Sequence, residues 1–235
     1  MWNTSSVQSF KAKTRLSLAR PSRRGSCRAF SVRPASRARL VRLQGYTVLG
    51  KLQSTEGVSM NGQEYLDLLK ARYSVRSFSD VQLTDAELDV LLQAAQLSPT
   101  AKNSQPFRLC VVQSAEGLAK IDEATRCRYG APTVIIGAYD TSVSAKGLGY
   151  ETGDFGDIDT SIVLTNIANA AAAENLGSCW VGAYDSAIIR KNFNIPNNYV
   201  LVDLMMVGHS AEDAEPSPRH EQTEPLDTLV VRETF

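Results

Sequence analysis

Arg72-Tyr73-Ser74-Val75-Arg76 puts a hydroxyl between two guanidinium groups. Arg presents planar, forked donors that match phosphate oxygens, so this stretch suits a phosphate dianion and the polyol chain attached to it. The plainer alternative is a solvated basic helix end favoured by the helix dipole. A second stretch, Pro99-Thr100-Ala101-Lys102-Asn103-Ser104-Gln105-Pro106-Phe107, is a polar loop between a helix and a strand. Asn and Gln each carry a donor and an acceptor, which suits the alternating carbonyl and N–H edge of an isoalloxazine ring. Pro99 and Pro106 restrict the loop; an ordinary connection is the competing reading. In the third stretch, Gly177-Ser178-Cys179-Trp180-Val181-Gly182, a strand carries a bulky aromatic and ends in Gly. Glycine lets backbone approach a flat ligand and aim an N–H at it. The alternative is core packing of Trp180 followed by a turn. Each stretch supplies a different part of what binding FMN requires.

Alternating helices and strands of an α+β domain must position these residues. Leu66, Leu69 and Tyr73 at helical spacing predict an opening helix over 63–72. Thr84 with Glu87 three residues on forms a capping box, followed by Leu88, Leu91, Leu92 and Ala95 on one face. Ser98-Pro99 ends that helix. Strands are expected at 107–112, 133–139, 178–184 and 199–207, with a short helix after Ser114. Asp159 is expected to cap a long helix reaching about Leu176, with Gly177 as its left-handed stop. That helix is apolar most of the way round, through Ile158, Ile162, Val163, Leu164, Ile167 and Ala170 to Ala173. A domain this small rarely encloses a helix so fully, so one face should meet a second subunit. The tail 225–235, with Leu226, Leu229, Val230 and Val231, is also too apolar to leave in water.

Charge divides the chain. Twelve of its 25 Lys and Arg residues, and none of its 25 Asp and Glu residues, precede Glu56. The leader is rich in Ser and Ala and too polar to bury a core, which predicts an organellar transit peptide over 1–52, disordered, ahead of a folded domain over 57–235. Its uncharged first ten residues favour a plastid over a mitochondrion. A basic arm for nucleic acid or anionic lipid is the alternative. No apolar run approaches the roughly 18–20 residues of a membrane span. Cys110, Cys127 and Cys179 show no metal or redox spacing, and Cys110 and Cys179 read as small buried thiols.

As a set and in this order, Arg-Tyr-Ser-Val-Arg, Asn-Ser-Gln-Pro and Gly-Ser-Cys-Trp-Val-Gly resemble the nitroreductase family of flavoproteins, from about Gln63 to the C terminus. Val207-Gly208-His209 and Pro216-Ser217-Pro218 through Pro225-Leu226 extend the likeness. The resemblance implies a three-layer α+β fold around a mainly antiparallel sheet. It also implies an intertwined homodimer with two FMN molecules at the interface and terminal segments embracing the partner. Arg72, Tyr73, Ser74 and Arg76 would hold the phosphate and ribityl end, and Thr100, Asn103 and Gln105 the ring's polar edge. Cys179 and Trp180 would flank the ring, with the backbone of Val181 and Gly182 facing N5. Many members carry Glu just before that Gly and a Lys-x-Arg phosphate clamp near the C terminus. Here those positions hold Val181 and the pair Glu221 and Thr223, leaving Arg219 or His220 as substitutes.

The implied activity is NAD(P)H-dependent reduction of nitroaromatics, quinones or a related small acceptor by a ping-pong mechanism, with no side-chain catalyst, no metal, and no nucleic-acid or membrane partner. Residues 144–155, with Gly147, Gly149, Gly153, Tyr150 and Phe155, read either as a loop over the ring's open face or as plain surface. A flavin-binding or flavin-storing protein with incidental turnover is the alternative function, separable by bleaching of bound flavin with NAD(P)H and reoxidation by an acceptor. A nucleic-acid role through the leader would leave the acidic body unable to bind.

Overall fold

Helix starts follow the capping chemistry of short polar side chains. Ahead of α2 (Asp85–Gln96), the Thr84 hydroxyl accepts the Glu87 N–H at 3.2 Å and the Glu87 carboxylate accepts the Thr84 N–H at 2.8 Å. Asn61 and Glu64 build the same box on α1 (Gly62–Ala71), and Ser114 caps α3 (Ala115–Asp122). The computed structural model describes residues 60–147 and 153–235, and residues Gly57–Phe235 make up one structural unit. The leader 1–52, and Gly149 and Tyr150 of the glycine-rich loop, lie outside the described residues.

Strands β1 (Phe107–Val112), β2 (Thr133–Asp140), β3 (Gly177–Val181) and β4 (Tyr199–Gly208) pair antiparallel in the order β1-β2-β4-β3. Their period-2 alternation sends side chains to two apolar layers. Ile135, Met205, Val207 and Trp180 meet Leu91 of α2 and Leu164 and Ile167 of α4 (Gly156–Ala173). Val134, Ile136, Leu204, Met206, Cys179 and Val181 meet Ile121 of α3 and Ile189 of α5 (Ser186–Asn192). The result is the three-layer α+β arrangement expected, and β2, covered on both faces, is buried throughout. The short α5, begun by Asp185, had no counterpart in the sequence reading. Cys110 corrects another expectation: it is exposed, because β1 is the sheet's edge strand and the helices leave that end uncovered.

The ends of α4 also differ from expectation. It starts at Gly156, so Asp159 lies inside the first turn rather than before it. At the far end Asn175, at φ +57°, makes the left-handed stop, while Gly177 already belongs to β3. Leu176 N–H bonds the Ala171 carbonyl at 2.8 Å and Asn175 N–H bonds that of Ala172 at 3.1 Å, a Schellman closure. Gly177 is small for a different reason: a Cβ there would lie 2.9 Å from the Val75 side chain and 2.8 Å from the Ser210 hydroxyl. The helix is not enclosed on all sides. Ile158 is 39% exposed, and with Ile162, Ser161 and Thr165 it lines an open, mostly apolar groove of about 390 Å³. The tail, with α6 (Leu226–Leu229), likewise leaves Leu226, Leu229, Val230 and Val231 exposed.

Asp159 is 2% exposed and uses Oδ1 to accept the Ala101 N–H at 2.8 Å, while Oδ2 has no hydrogen-bond partner. Desolvation therefore raises its pKa, the Ala101 bond works against that, and Asp154 adds to it. A carboxyl whose pKa is raised on folding stabilises most below its unfolded value, and that contribution is lost as pH climbs through the folded one. Asp159→Asn keeps an acceptor for Ala101 and cannot ionise, so it should gain stability over the parent as pH rises from about 4 to 7. Asp159→Leu, which strands the Ala101 N–H, should cost about 1–3 kcal/mol. Urea unfolding at both pH values measures each effect; a parent-to-Asn difference independent of pH would contradict the first.

Candidate functional site

A close crossing of the chain builds the cationic end of the site. Just past α1, the Val75 N–H donates to the Ser178 carbonyl at 2.9 Å, and Ser74 bridges Ser178 in a parallel sense. Val75 is buried at 2% exposure, which turns the side chains of residues 74 and 76 the other way. Arg72, Tyr73, Ser74 and Arg76 consequently line one cavity of about 550 Å³. Its other wall is Glu215, Ser217, Arg219 and His220. Arg219 thus does meet Arg72 and Arg76, as a substitute for the missing clamp must. Glu215 and Ser217 at this wall were not singled out from the sequence, since nothing local marks a residue that returns from over a hundred positions away.

Hydrogen bonds hold that wall in place. His220 Nε2–H donates to the Lys70 carbonyl at 2.8 Å, in the last turn of α1, and its ring lies 6.1 Å from that of Tyr73. The Tyr73 hydroxyl donates to the Ala214 carbonyl at 3.3 Å. With three guanidinium groups facing one carboxylate, the cavity carries net positive charge.

The amide loop sits elsewhere. Thr100 Oγ1 accepts the Gln105 N–H at 3.0 Å, and Gln105 Nε2 donates to Asn103 Oδ1 at 3.0 Å. Lys102, Asn103 and Gln105 hold positive φ values of 55°, 52° and 47°, a conformation that costs free energy in non-glycine residues. The Ala101–Asp159 bond, and Lys102 Nζ on the Lys146 carbonyl at 2.8 Å, fix the loop to the start of α4 and to the glycine-rich segment. That segment's shoulders form a bridge closed by the Lys146–Asp154 ion pair at 3.1 Å. Arg72, by contrast, shares cavities with Thr165, Asn169, Ala172 and Asn175 of the second half of α4 and its stop. At about 1.5 Å of rise per residue, Asp159 stands about 9 Å from Thr165 and roughly 15–20 Å from Asn169 and Ala172 along the helix, and Gln105 lines a separate cavity with Gln93, Gln96 and Phe107. Within one chain, therefore, Asn103 and Gln105 do not join the Arg cradle.

At the end of β3 the side chains diverge. Trp180 lies on the α4 face and, with Arg72, Ser178, Thr165 and Met205, lines a cavity of about 430 Å³. Cys179 and Val181 point into the opposite layer, so only their backbone belongs to the Trp180 side. Cys179 lies near Arg76 and Cys127, and burial pushes its thiol pKa up. Gly182 is exposed, and a Cβ on it would meet Asp203 Oδ1 at 2.9 Å. The Trp180 indole N–H donates to Asp203 Oδ2. Asp203 went unread in the sequence, although it is the lone charged residue in the apolar strand Tyr199–Gly208.

Comparison with known proteins bears on the family and the fold. The family model described as the nitroreductase family matches residues 69–131 and 128–209. A crystal structure of a nitroreductase family protein from Clostridium difficile is similar at 33% identity and TM-score 0.67, covering 72% of this chain and 98% of that one. A Bacteroides fragilis nitroreductase solved with bound FMN shares the fold at 21% identity and TM-score 0.58, covering 72% of this chain and 99% of that one. A Methanothermobacter thermautotrophicus protein, provisionally named NADH dehydrogenase/NAD(P)H nitroreductase, is 31% identical over 159 residues, which are 64% of this chain and 79% of that protein. With the family model spanning α1's end through β4, and solved members sharing the three-layer fold, the chain belongs to the nitroreductase family.

Proposed function

We propose that the chain is an FMN-dependent oxidoreductase that uses NAD(P)H to reduce nitroaromatics, quinones or a related acceptor by a ping-pong cycle. The observation that carries this reading is the cavity in which Arg72, Arg76 and Arg219 converge with Tyr73, Ser74 and Ser217. Forked cations beside hydroxyls are the donor set a phosphate monoester and its polyol require, and one carboxylate, Glu215, does not cancel their charge. FMN, when bound, supplies electron transfer between a nicotinamide and a second substrate. The chain's own part is to neutralise the phosphate, present the backbone of Val181 and Gly182 beside Trp180, and offer the Asn103 and Gln105 amides to a ring edge. Family relatives named for NAD(P)H and solved with FMN support the same reading.

The separation along α4 favours a homodimer in which the 100–105 loop of one protomer completes the cradle of the other. The open apolar groove at Ile158 and Ile162 and the exposed apolar tail are the surfaces such a partner would cover. For the leader we propose removal on import into an organelle, a plastid in preference to a mitochondrion, on the strength of its one-sided charge. N-terminal sequencing of the protein from its native organelle should find a start near residues 43–52; a mature chain beginning at Met1 or Trp2 overturns this.

A charge-assisted bond to phosphate contributes roughly 1.5–3 kcal/mol, so Arg76→Ala should weaken FMN binding about ten- to a hundredfold. Arg219→Ala should weaken it less, because Glu215 on the same wall offsets part of that charge. Flavin fluorescence titration of apo-protein measures both, with circular dichroism confirming the fold; tight binding by Arg76→Ala beside loss in Arg219→Ala would reverse the assignment. For turnover, double-reciprocal plots at several acceptor concentrations should be parallel. Converging lines would mean that both substrates bind together, which one shared face does not allow.

A further inference from the structure

We propose that Asp203 is a positioning residue for the ring end of the site: its carboxylate fills the space left by Gly182, anchors the Trp180 indole, and places a negative charge where the flavin is read to lie. The inference rests on the FMN reading above and adds a residue to it.

An acid in β4 needs a physical reason. Its neighbours Leu201, Leu204, Met205 and Met206 are apolar, and Asp203 itself is half-buried, so partial loss of its hydration is costly unless it is hydrogen-bonded. The register between β3 and β4 pairs Trp180 with Met205 and Val181 with Leu204, which brings Asp203 level with Gly182. Between β2 and β4, Gly137 pairs with Asp203 and Ala138 with Leu201, so Val202 is the extra residue of a bulge. Asp203 falls two residues before Met205 and hence on the same face as Trp180.

There the indole N–H satisfies Oδ2, while Oδ1 takes the position that any side chain at Gly182 would contest, 2.9 Å from its Cβ. A carboxylate has about four acceptor sites, and one indole N–H uses a single one of them. Burial raises the Asp203 pKa, and the Trp180 bond works against that shift. The arrangement does two things. It holds Trp180 in one orientation at the cavity it shares with Arg72, and it sets a carboxylate beside the backbone assigned to flavin N5. A negative charge close to a flavin disfavours uptake of electrons, so Asp203 lowers the cofactor's reduction potential.

The test uses the full chain carrying Trp2→Phe, which leaves Trp180 as the sole tryptophan of the two present. Asp203→Asn should change Trp180 emission in apo-protein and, with FMN bound, move the midpoint potential to a more positive value. Trp180→Phe keeps an aromatic ring but removes the N–H donor that partly neutralises the carboxylate, so the potential should move the opposite way, to a more negative value. The double variant should match Asp203→Asn, since the indole N–H matters to the potential only while the carboxylate is there. If Asp203→Asn does not fold, as circular dichroism would show, the potential of Trp180→Phe alone decides. Potentials equal to the parent's in every variant that folds overturn the proposal, because a purely structural acid would leave the potential alone. A parent chain that retains no FMN would refute the cofactor reading before any substitution is made, and this inference with it.

Discussion

One backbone hydrogen bond organises the site: the Val75 N–H on the Ser178 carbonyl, 2.9 Å long. It forms only because Gly177 has no Cβ to strike the Val75 side chain. The bond seats the residues after α1 against the start of β3, buries Val75, and thereby turns Arg72 and Arg76 outward into a shared cavity. The segment carrying Ala214, Arg219 and His220 is then drawn in by the Lys70 carbonyl, which accepts from His220, and by Tyr73, whose hydroxyl donates to the Ala214 carbonyl. Three like charges lining one cavity repel one another, a cost that phosphate would relieve.

The second organising element is α4, a rod about 27 Å long at 1.5 Å per residue. Its first turn anchors the amide loop through Asp159, and its second half flanks the Arg cradle. Strain in the loop, with three non-glycine residues at positive φ, persists because Asp159, Thr100 and Lys102 hold it from different sides. The cost includes an unpaired carboxylate oxygen in a nearly inaccessible place. Such costs concentrate where a fixed geometry matters more than local stability.

Trp180 and Asp203 show how sheet register turns sequence-distant residues into one polar unit. Neither side chain would be well placed alone: indole N–H and carboxylate both need partners when removed from water. The bulge opposite Gly137 and Ala138 decides which β4 side chains face α4. Its position is not written in any short motif of β4.

What was legible in the sequence is what local free energy decides. The capping box at Thr84, the short helix after Ser114, the existence of the four strands and the three motif stretches rest on neighbours within a few residues and are found where the pattern placed them, except that the strand expected over 178–184 ends at Val181. Misreadings came where a local preference was overridden. Asp159 has a good capping side chain, but Ala101 offers it a tertiary donor, and Asn175 rather than the more permissive Gly177 takes the left-handed position because Gly177 is already paired with Gly208 in β3. Cys110 sits in an apolar run yet is exposed, since the run alone does not say which strand ends the sheet. The convergence of Arg219 on Arg72, the separation of the amide loop from the cradle, and the meeting of Asp203 with Gly182 and Trp180 were decided by tertiary structure alone. Each depends on helix length, strand order and register, which arise when the whole core packs and not from the residues that display them.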